Sequence, residues 1–322
     1  MSDENKLWMG LNAPQLAPSE IHVGIVGAPY DGSVTHELGA AHAPEALREI
    51  SADTSPHTEN HINLRGLRIR DFGDAEVDQD DALTTQKAIA RAVTPLVEAG
   101  AIPLVIGGDH SGTSAAVSAF ASRNEMGILW IDAHPDLMDS FKGIKGREES
   151  KWNHACPRRR ICELPNVCPE NVLLFGIRDL LAEELDFIRE EGIEVIYARD
   201  LCELSLDTLV GRIHKKFQRV PEVYVSFDID VLDAMSAPGT GIPVPGGISP
   251  RYLYDLLFRL LDREREYFNS TSDQLLRIAG FDVVEVSPPL DLNAITSLTA
   301  MGIITAMLGY ICLQEGLPTL DF

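Results

Sequence analysis

Leu129-Trp-Ile-Asp-Ala-His-Pro-Asp136 sets three potential metal ligands within five residues, directly behind an apolar run. A run of that kind ending in a polar cluster predicts a buried strand. Side chains two apart on a strand share a face, so Asp132 and His134 point the same way and Asp136 falls just past the strand end. The arrangement recurs in Val223-Tyr-Val-Ser-Phe-Asp-Ile-Asp-Val-Leu-Asp233, where Asp228 and Asp230 share one face of a second strand. A third group, Asp109-His110, follows an apolar strand at residues 102–106 and a Gly107-Gly108 turn. Carboxylates with a minority of imidazoles and no thiolate favour a hard or borderline divalent ion such as manganese over a thiolate-held zinc. Four crowded aspartates also repel one another unless cations neutralise them. A single Asp-x-Asp at a strand end as readily caps a helix or closes a turn, but three ligand groups at strand ends point to a metal site.

Gly107-Gly-Asp-His-Ser111, Asp132-Ala-His-Pro-Asp136 and Ser226-Phe-Asp-Ile-Asp-Val-Leu-Asp233, in that order, resemble the three signatures of the ureohydrolases, the arginase and agmatinase family. The likeness runs from about residue 23 to the last helix. It implies an arginase-like three-layer α/β/α fold around a central eight-stranded, mostly parallel sheet. It implies two divalent ions, manganese by expectation and nickel or cobalt as alternatives. His110, Asp132, Asp136 and Asp228 would hold one ion, and Asp132, His134, Asp228 and Asp230 the other, with Asp132 and Asp228 bridging. Glu285, in Gly280-Phe-Asp-Val-Val-Glu285, matches the family's guanidinium-binding glutamate. His154, in Trp152-Asn-His-Ala-Cys156, matches a loop histidine that orients substrate or passes a proton to the leaving amine, work suited to a group titrating near neutrality. A homo-oligomer, trimeric or hexameric, is a further implication.

The implied reaction is hydrolysis of a small guanidino compound to urea and an amine. Two divalent ions roughly 3.5–4 Å apart lower the pKa of a shared water toward neutrality. The resonance-stabilised guanidinium carbon needs such a nucleophile, and a carboxylate to hold it in place. Several positions depart from the family's usual residues: Ala41 and Ala43 in the loop after the first strand, Pro135, Ala155-Cys156 and Ala234. None is a ligand, so the departures concern substrate. Arginases typically read Gly-Asn-Leu-His-Gly around the loop histidine, and this chain has Lys151-Trp-Asn-His-Ala-Cys156. Agmatine or a guanidino acid is therefore favoured over arginine. Trp152 is a candidate to wall the pocket or stack on a planar cation. Asp139 and residues 140–150 would face the substrate's tail, where Lys142, Lys145 and Arg147 would suit a carboxylate. Two rivals are an inactive ureohydrolase-like subunit acting as a binding or regulatory partner, and a metal-dependent deacetylase-type amidohydrolase. Intact ligand positions with Glu285 and His154 oppose the first, and urea release against acetate release separates the second.

Lys plus Arg number 27 and Asp plus Glu 49, a formal charge of 27 − 49 = −22, which disfavours nucleic acid and anionic membrane surfaces as partners. The five cysteines are odd in number and form no Cys-x-x-Cys pair, so a disulfide framework is not expected and a reducing cytoplasm fits. Pro157, Pro165 and Pro169 predict loop around Cys156, Cys162 and Cys168. No apolar run is expected to reach membrane-spanning length, and the first residues carry no signal-peptide pattern. Residues 1–20, with Pro14 and Pro18, read as an arm on the surface or on a neighbouring subunit, and residues 21–322 as one α/β domain. His57 and His61, four apart, sit among helix breakers and read as ordinary loop histidines.

Strands are expected at residues 21–27, 67–72, 102–106, 127–132, 171–175, 195–197, 222–228 and 277–286. Helices are expected at 45–50, 82–99, 111–122, 182–191, 204–217, 249–261 and 298–313. Eight buried strands alternating with helices call for one parallel sheet covered on both faces, with ligands gathering at the strands' carboxyl ends.

Overall fold

Strand and helix alternate along almost the whole chain, and the inner strands are buried on both faces, so they must be covered on both sides. The computed structural model describes residues 6–144, 148–270 and 276–318. Lys145, Arg147 and the first five residues of the expected arm lie outside the described residues. The strands of the central sheet are β1 Val23–Ala28, β2 Ile69–Asp74, β3 Ile102–Gly107, β4 Met126–Ile131, β5 Val167–Ile177, β6 Glu194–Tyr197, β7 Glu222–Asp228 and β8 Ile278–Val284. They form one sheet in the order β2-β1-β3-β8-β7-β4-β5-β6. Every pairing is parallel. All carboxyl ends therefore lie along one edge, and β3, β8, β7 and β4 are contiguous at its centre.

Alternation along each strand divides the core in two. Val23 and Ile25 of β1, Leu129 and Ile131 of β4, and Val225 and Phe227 of β7 face the helices Ala43–Asp53, Leu206–Phe217, Pro250–Ser270 and Ile295–Gln314. Val26, Val105, Ile128, Trp130 and Tyr224 face Ala82–Ala99, Gly112–Ser118, Pro157–Cys162 and Ala182–Glu191. Local chemistry fixes the helix ends: Asp81 and Ser205 accept main-chain N–H groups from Thr84 and Thr208 as N-caps, and Gly100 and Gly192 close their helices in the left-handed conformation.

Three sequence expectations are corrected. The segment before β1 is tucked in, because Trp8 is fully buried with its Nε1–H donated to Asp71 at 2.7 Å and Asn12 bridges to Ile69. The proline-rich stretch is not loop throughout: Pro157 opens a helix, where its missing N–H costs nothing, and Cys168 and Pro169 fall inside β5 where the register with β4 slips. Helix Ile295–Gln314 is long and apolar enough to cross a membrane, yet 83% of its apolar window is buried inside the protein, as a core helix requires.

Candidate active site

Each group of candidate ligands leaves the end of one of the four central strands. Asp109 and His110 follow β3, Asp132, His134 and Asp136 follow β4, Asp228 ends β7 with Asp230 two residues on, and Glu285 follows β8. The ligands sit in tight turns beyond the strands more than on them. Asp132 accepts the His134 N–H at 2.6 Å, and Asp228 accepts the Asp230 N–H at 2.8 Å. The Ala133 N–H reaches across to Asp230 at 3.1 Å and ties the two turns together.

The side chains converge. His110 Nδ1 lies 3.1 Å from Asp132, 3.1 Å from Asp136 and 3.0 Å from Asp228. His134 Nδ1 lies 3.0 Å from Asp230 and 3.5 Å from Asp132. Two groups, His110 with Asp132 and Asp228, and Asp132 with His134 and Asp230, have the closeness that a metal ion needs, and Asp132 is common to both. A test of fit comes from His110. Its Nε2 pairs with the Ser226 hydroxyl at 2.9 Å, and that hydroxyl donates to Asp282 at 2.6 Å, so Ser226 accepts from Nε2–H. Nδ1 then keeps its lone pair, and this buried atom makes no hydrogen bond of acceptable geometry although three carboxylates surround it. A tautomer fixed from behind with a bare nitrogen aimed among carboxylates is the preparation a histidine ligand requires.

Electrostatics agree. Burial pushes the Asp136 carboxyl up to about 6, with Asp132 adding repulsion, and pushes Asp228 and Asp230 upward as well. Against burial, the carboxylates raise His110 and His134, and these two rings in turn hold Asp132 well below the usual carboxylate range. The cluster strains to hold protons where cations would relieve it.

Glu285 stands beside the cluster. Its Oε1 accepts the His110 N–H and pairs with His154 Nδ1, both at 2.9 Å. Thr35 directs its backbone N–H at His154 Nε2 at 3.1 Å, so Nε2 accepts and Nδ1 carries the proton given to Glu285. The Thr35 hydroxyl lies 2.9 Å from the same nitrogen. The carboxylate of Glu285 raises His154, while the Thr35 N–H opposes a second proton; geometry favours the neutral ring. Glu285 and Asp136 both adopt positive φ, 61° and 54°, unusual for residues with side chains.

A cleft of about 180 Å³ opens onto these groups. His110, His134, Asp136, His154, Asp228, Asp230 and Glu285 line it, and Asp132 is buried beneath. Asp139 and Trp152 are not brought to it. Met138 faces the cleft, so the next residue turns away, and Asp139 is held outward by Arg160 at 2.9 Å. Trp152 lines a separate groove with Tyr30 and Asn153, with the Lys151 ammonium 5.1 Å from its ring. His57 lies in an outer turn between Ser55 and Arg65.

Sequence reasoning missed several contributors. Thr35 sits in the long loop after β1, whose length marks it as functional without saying which residue acts. Phe141, Leu180, Leu181 and Ile242 supply apolar walls. Arg178 donates to the main-chain oxygens of Asp230 at 2.6 Å, Leu232 at 3.1 Å and Val244 at 2.7 Å, and so fixes the turn that presents Asp230. Asp109 accepts from the hydroxyls of Ser33 and Ser111, at 2.7 Å and 2.5 Å, and anchors the loop that carries His110.

A parallel sheet between two helical layers, with a buried carboxylate and imidazole cluster on its carboxyl edge, defines a three-layer α/β/α protein whose cluster has the donor set of a divalent-ion site. The chain belongs to the arginase family, whose profile matches residues 21–309. It is 32% identical over 300 residues to the guanidinopropionase of Pseudomonas aeruginosa, covering 92% of this chain and 87% of that one. It is 31% identical over 293 residues to an agmatinase of Bacillus anthracis, covering 90% and 91%. The solved structure of proclavaminate amidinohydrolase from Streptomyces clavuligerus superposes with a TM-score of 0.82 at 32% identity, covering 95% of this chain and 96% of that one. The fold is thus arginase-like, and the family implies a binuclear divalent metal centre.

Proposed function

We propose that this chain is a metal-dependent hydrolase that splits a small guanidino compound into urea and an amine. The observation that carries the reading is the placement of Glu285, a buried carboxylate lining the same cleft as His110, His134, Asp228 and Asp230. One oxygen, Oε1, is anchored by His110 N–H and His154, which leaves Oε2, among the described residues, to meet a guanidinium N–H. His110, Asp132, Asp136, Asp228, His134 and Asp230 would hold two ions, which when bound would supply Lewis acidity and a water of lowered pKa.

The chain's own residues supply the rest. Glu285 would hold the guanidinium plane, with its carbon toward the ion cluster. Water's oxygen bonds to that carbon, the bond from carbon to the substituted nitrogen breaks, and a proton passes to that nitrogen. The products are urea and an amine. His154, held against Glu285, is placed to steady that carboxylate and to relay the proton. Met138, Phe141, Leu180, Leu181 and Ile242 form an apolar wall for the substrate's chain. That wall fits the methylene chain that agmatine, guanidino acids and arginine share, and the preference for agmatine or a guanidino acid rests on the loop Lys151-Trp-Asn-His-Ala-Cys156, which departs from the arginase pattern. Urea release by manganese-loaded protein would be compared across agmatine, guanidinobutyrate, guanidinopropionate, free guanidine and arginine. No urea from any of them sinks the reading, and a higher kcat/KM for arginine than for the others sinks the substrate part alone.

A further inference from the structure

The fully buried Trp130 of β4 touches the ligand cluster in two ways. Its Nε1–H donates to Asp132 Oδ2 at 2.9 Å. Its ring stacks on His110, with centroids 4.1 Å apart and planes 3° from parallel. Near the same ring is the Arg158 guanidinium, whose carbon lies 5.5 Å from the centroid and whose three nitrogens are buried with no hydrogen-bond partner among the described residues. Apart from the charge of Asp136, the π-face of the indole is what that guanidinium meets.

We propose that Trp130 is the positioning residue of the metal centre, fixing the Asp132 carboxylate and the His110 imidazole relative to one another. The proposal rests on the reading that this cluster binds two ions. Asp132 belongs to both candidate ligand groups, so its orientation sets both. It leaves β4, whereas His110 leaves β3, and β8 and β7 intervene between those strands. No ladder hydrogen bond of the sheet sets one relative to the other. The indole supplies that link. Its N–H occupies one lone pair of Oδ2, while the His134 N–H occupies Oδ1, so the carboxylate cannot rotate without breaking one or the other. On His110 the stack holds the ring plane while Ser226 holds Nε2, which leaves Nδ1 one direction in which to point.

The experiment separates the indole's N–H from its bulk. Replacing Trp130 by 3-benzothienylalanine keeps shape and stacking and removes the donor, and Trp130→Phe keeps an aromatic face with less area. Manganese affinity is read by competition with a chromophoric chelator, bound ions are counted by metal analysis, and folding is checked by the melting curve of the chelator-stripped protein. The isostere should weaken at least one ion by about ten- to a hundredfold, as loss of a ligand's outer support does, with the stripped protein melting as the wild type does. Trp130→Phe should weaken binding in the same direction, and KM at saturating manganese should move little in either. Wild-type affinity for both ions in the isostere overturns the proposal. So does a KM that rises while ion affinity holds. Wild-type protein that binds fewer than two ions, or releases no urea, instead overturns the hydrolase reading, so the two failures are told apart.

Discussion

Arg158 and the histidine ligands carry the clearest expectations at the scale of single residues. Burial lowers the Arg158 guanidinium to about 10 from an ordinary 12.5, which costs roughly 3 kcal/mol at neutral pH. A base depressed on folding carries that penalty at every pH below about 10, and loses it only as pH climbs toward 12.5. Arg158→Met should therefore raise the urea midpoint of the stripped protein, and an unchanged or lower midpoint would mean that the charge is compensated. In the cluster, His134 is raised and Asp136 sits near 6, so protons occupy ligand positions that ions must clear. Manganese uptake at pH 7 should release protons, seen as a dependence of calorimetric heat on buffer. Because Asp136 gains its proton as pH falls through about 6, affinity should drop there by about tenfold per pH unit for each proton displaced. Glu285→Gln should lower kcat/KM by about 2–5 kcal/mol with metal content intact, whereas His154→Ala should act chiefly on kcat. Loss of metal in either variant would move that residue into the ligand set. The convergence of the candidate ligands at the strand ends was legible because carboxylates and imidazoles recur at fixed offsets from apolar runs, whereas Glu285 was singled out by its resemblance to the family's glutamate. Asp139, Trp152 and Arg178 were not legible, because the direction of a loop side chain depends on partners such as Arg160 and the 230–232 carbonyls, which no local pattern encodes.

Among the elements, helices Ala82–Ala99 and Ala182–Glu191 and strand Glu222–Asp228 coincide with the runs that periodicity gives, since both faces of each announce what covers them. The ligand turns were read less well. Asp230 was placed on the strand but lies in the turn Ile229–Val231, because the period-two pattern continues for one residue after the ladder has ended. The turn after β3 is the most constrained of these. A Cβ at Gly108 would stand 1.9 Å from the Tyr30 carbonyl oxygen and 2.7 Å from its carbon, main-chain atoms that cannot swing aside. Gly108→Ala should cost at least about 1–3 kcal/mol by overpacking and displace His110 two residues later. Circular dichroism melts together with manganese stoichiometry check both halves. A stable variant with full metal would show that the β1 loop can retreat.

Over the whole molecule, Leu290, Leu292, Ile295 and Leu298 leave a stretch of aliphatic surface exposed after β8. Cover by further copies of the chain is expected, and sedimentation at micromolar concentration should give a species larger than one chain; a lone monomer would refute that. The sheet's order has a separate bearing on how the protein is made. β8, the last strand in sequence, lies between β3 and β7, so three strands stand on one side of it and four on the other. Until residues 278–284 emerge during synthesis, the growing chain holds two part-sheets whose inner edges, β3 and β7, have no native partner on that side. Parallel pairing of this kind forms slowly, and unpaired edges recruit other chains. A chain cut before Ile278 would lack the strand that joins the halves as well as Glu285, so commitment to the native sheet and completion of the cleft arrive together, once residues 278–285 have emerged.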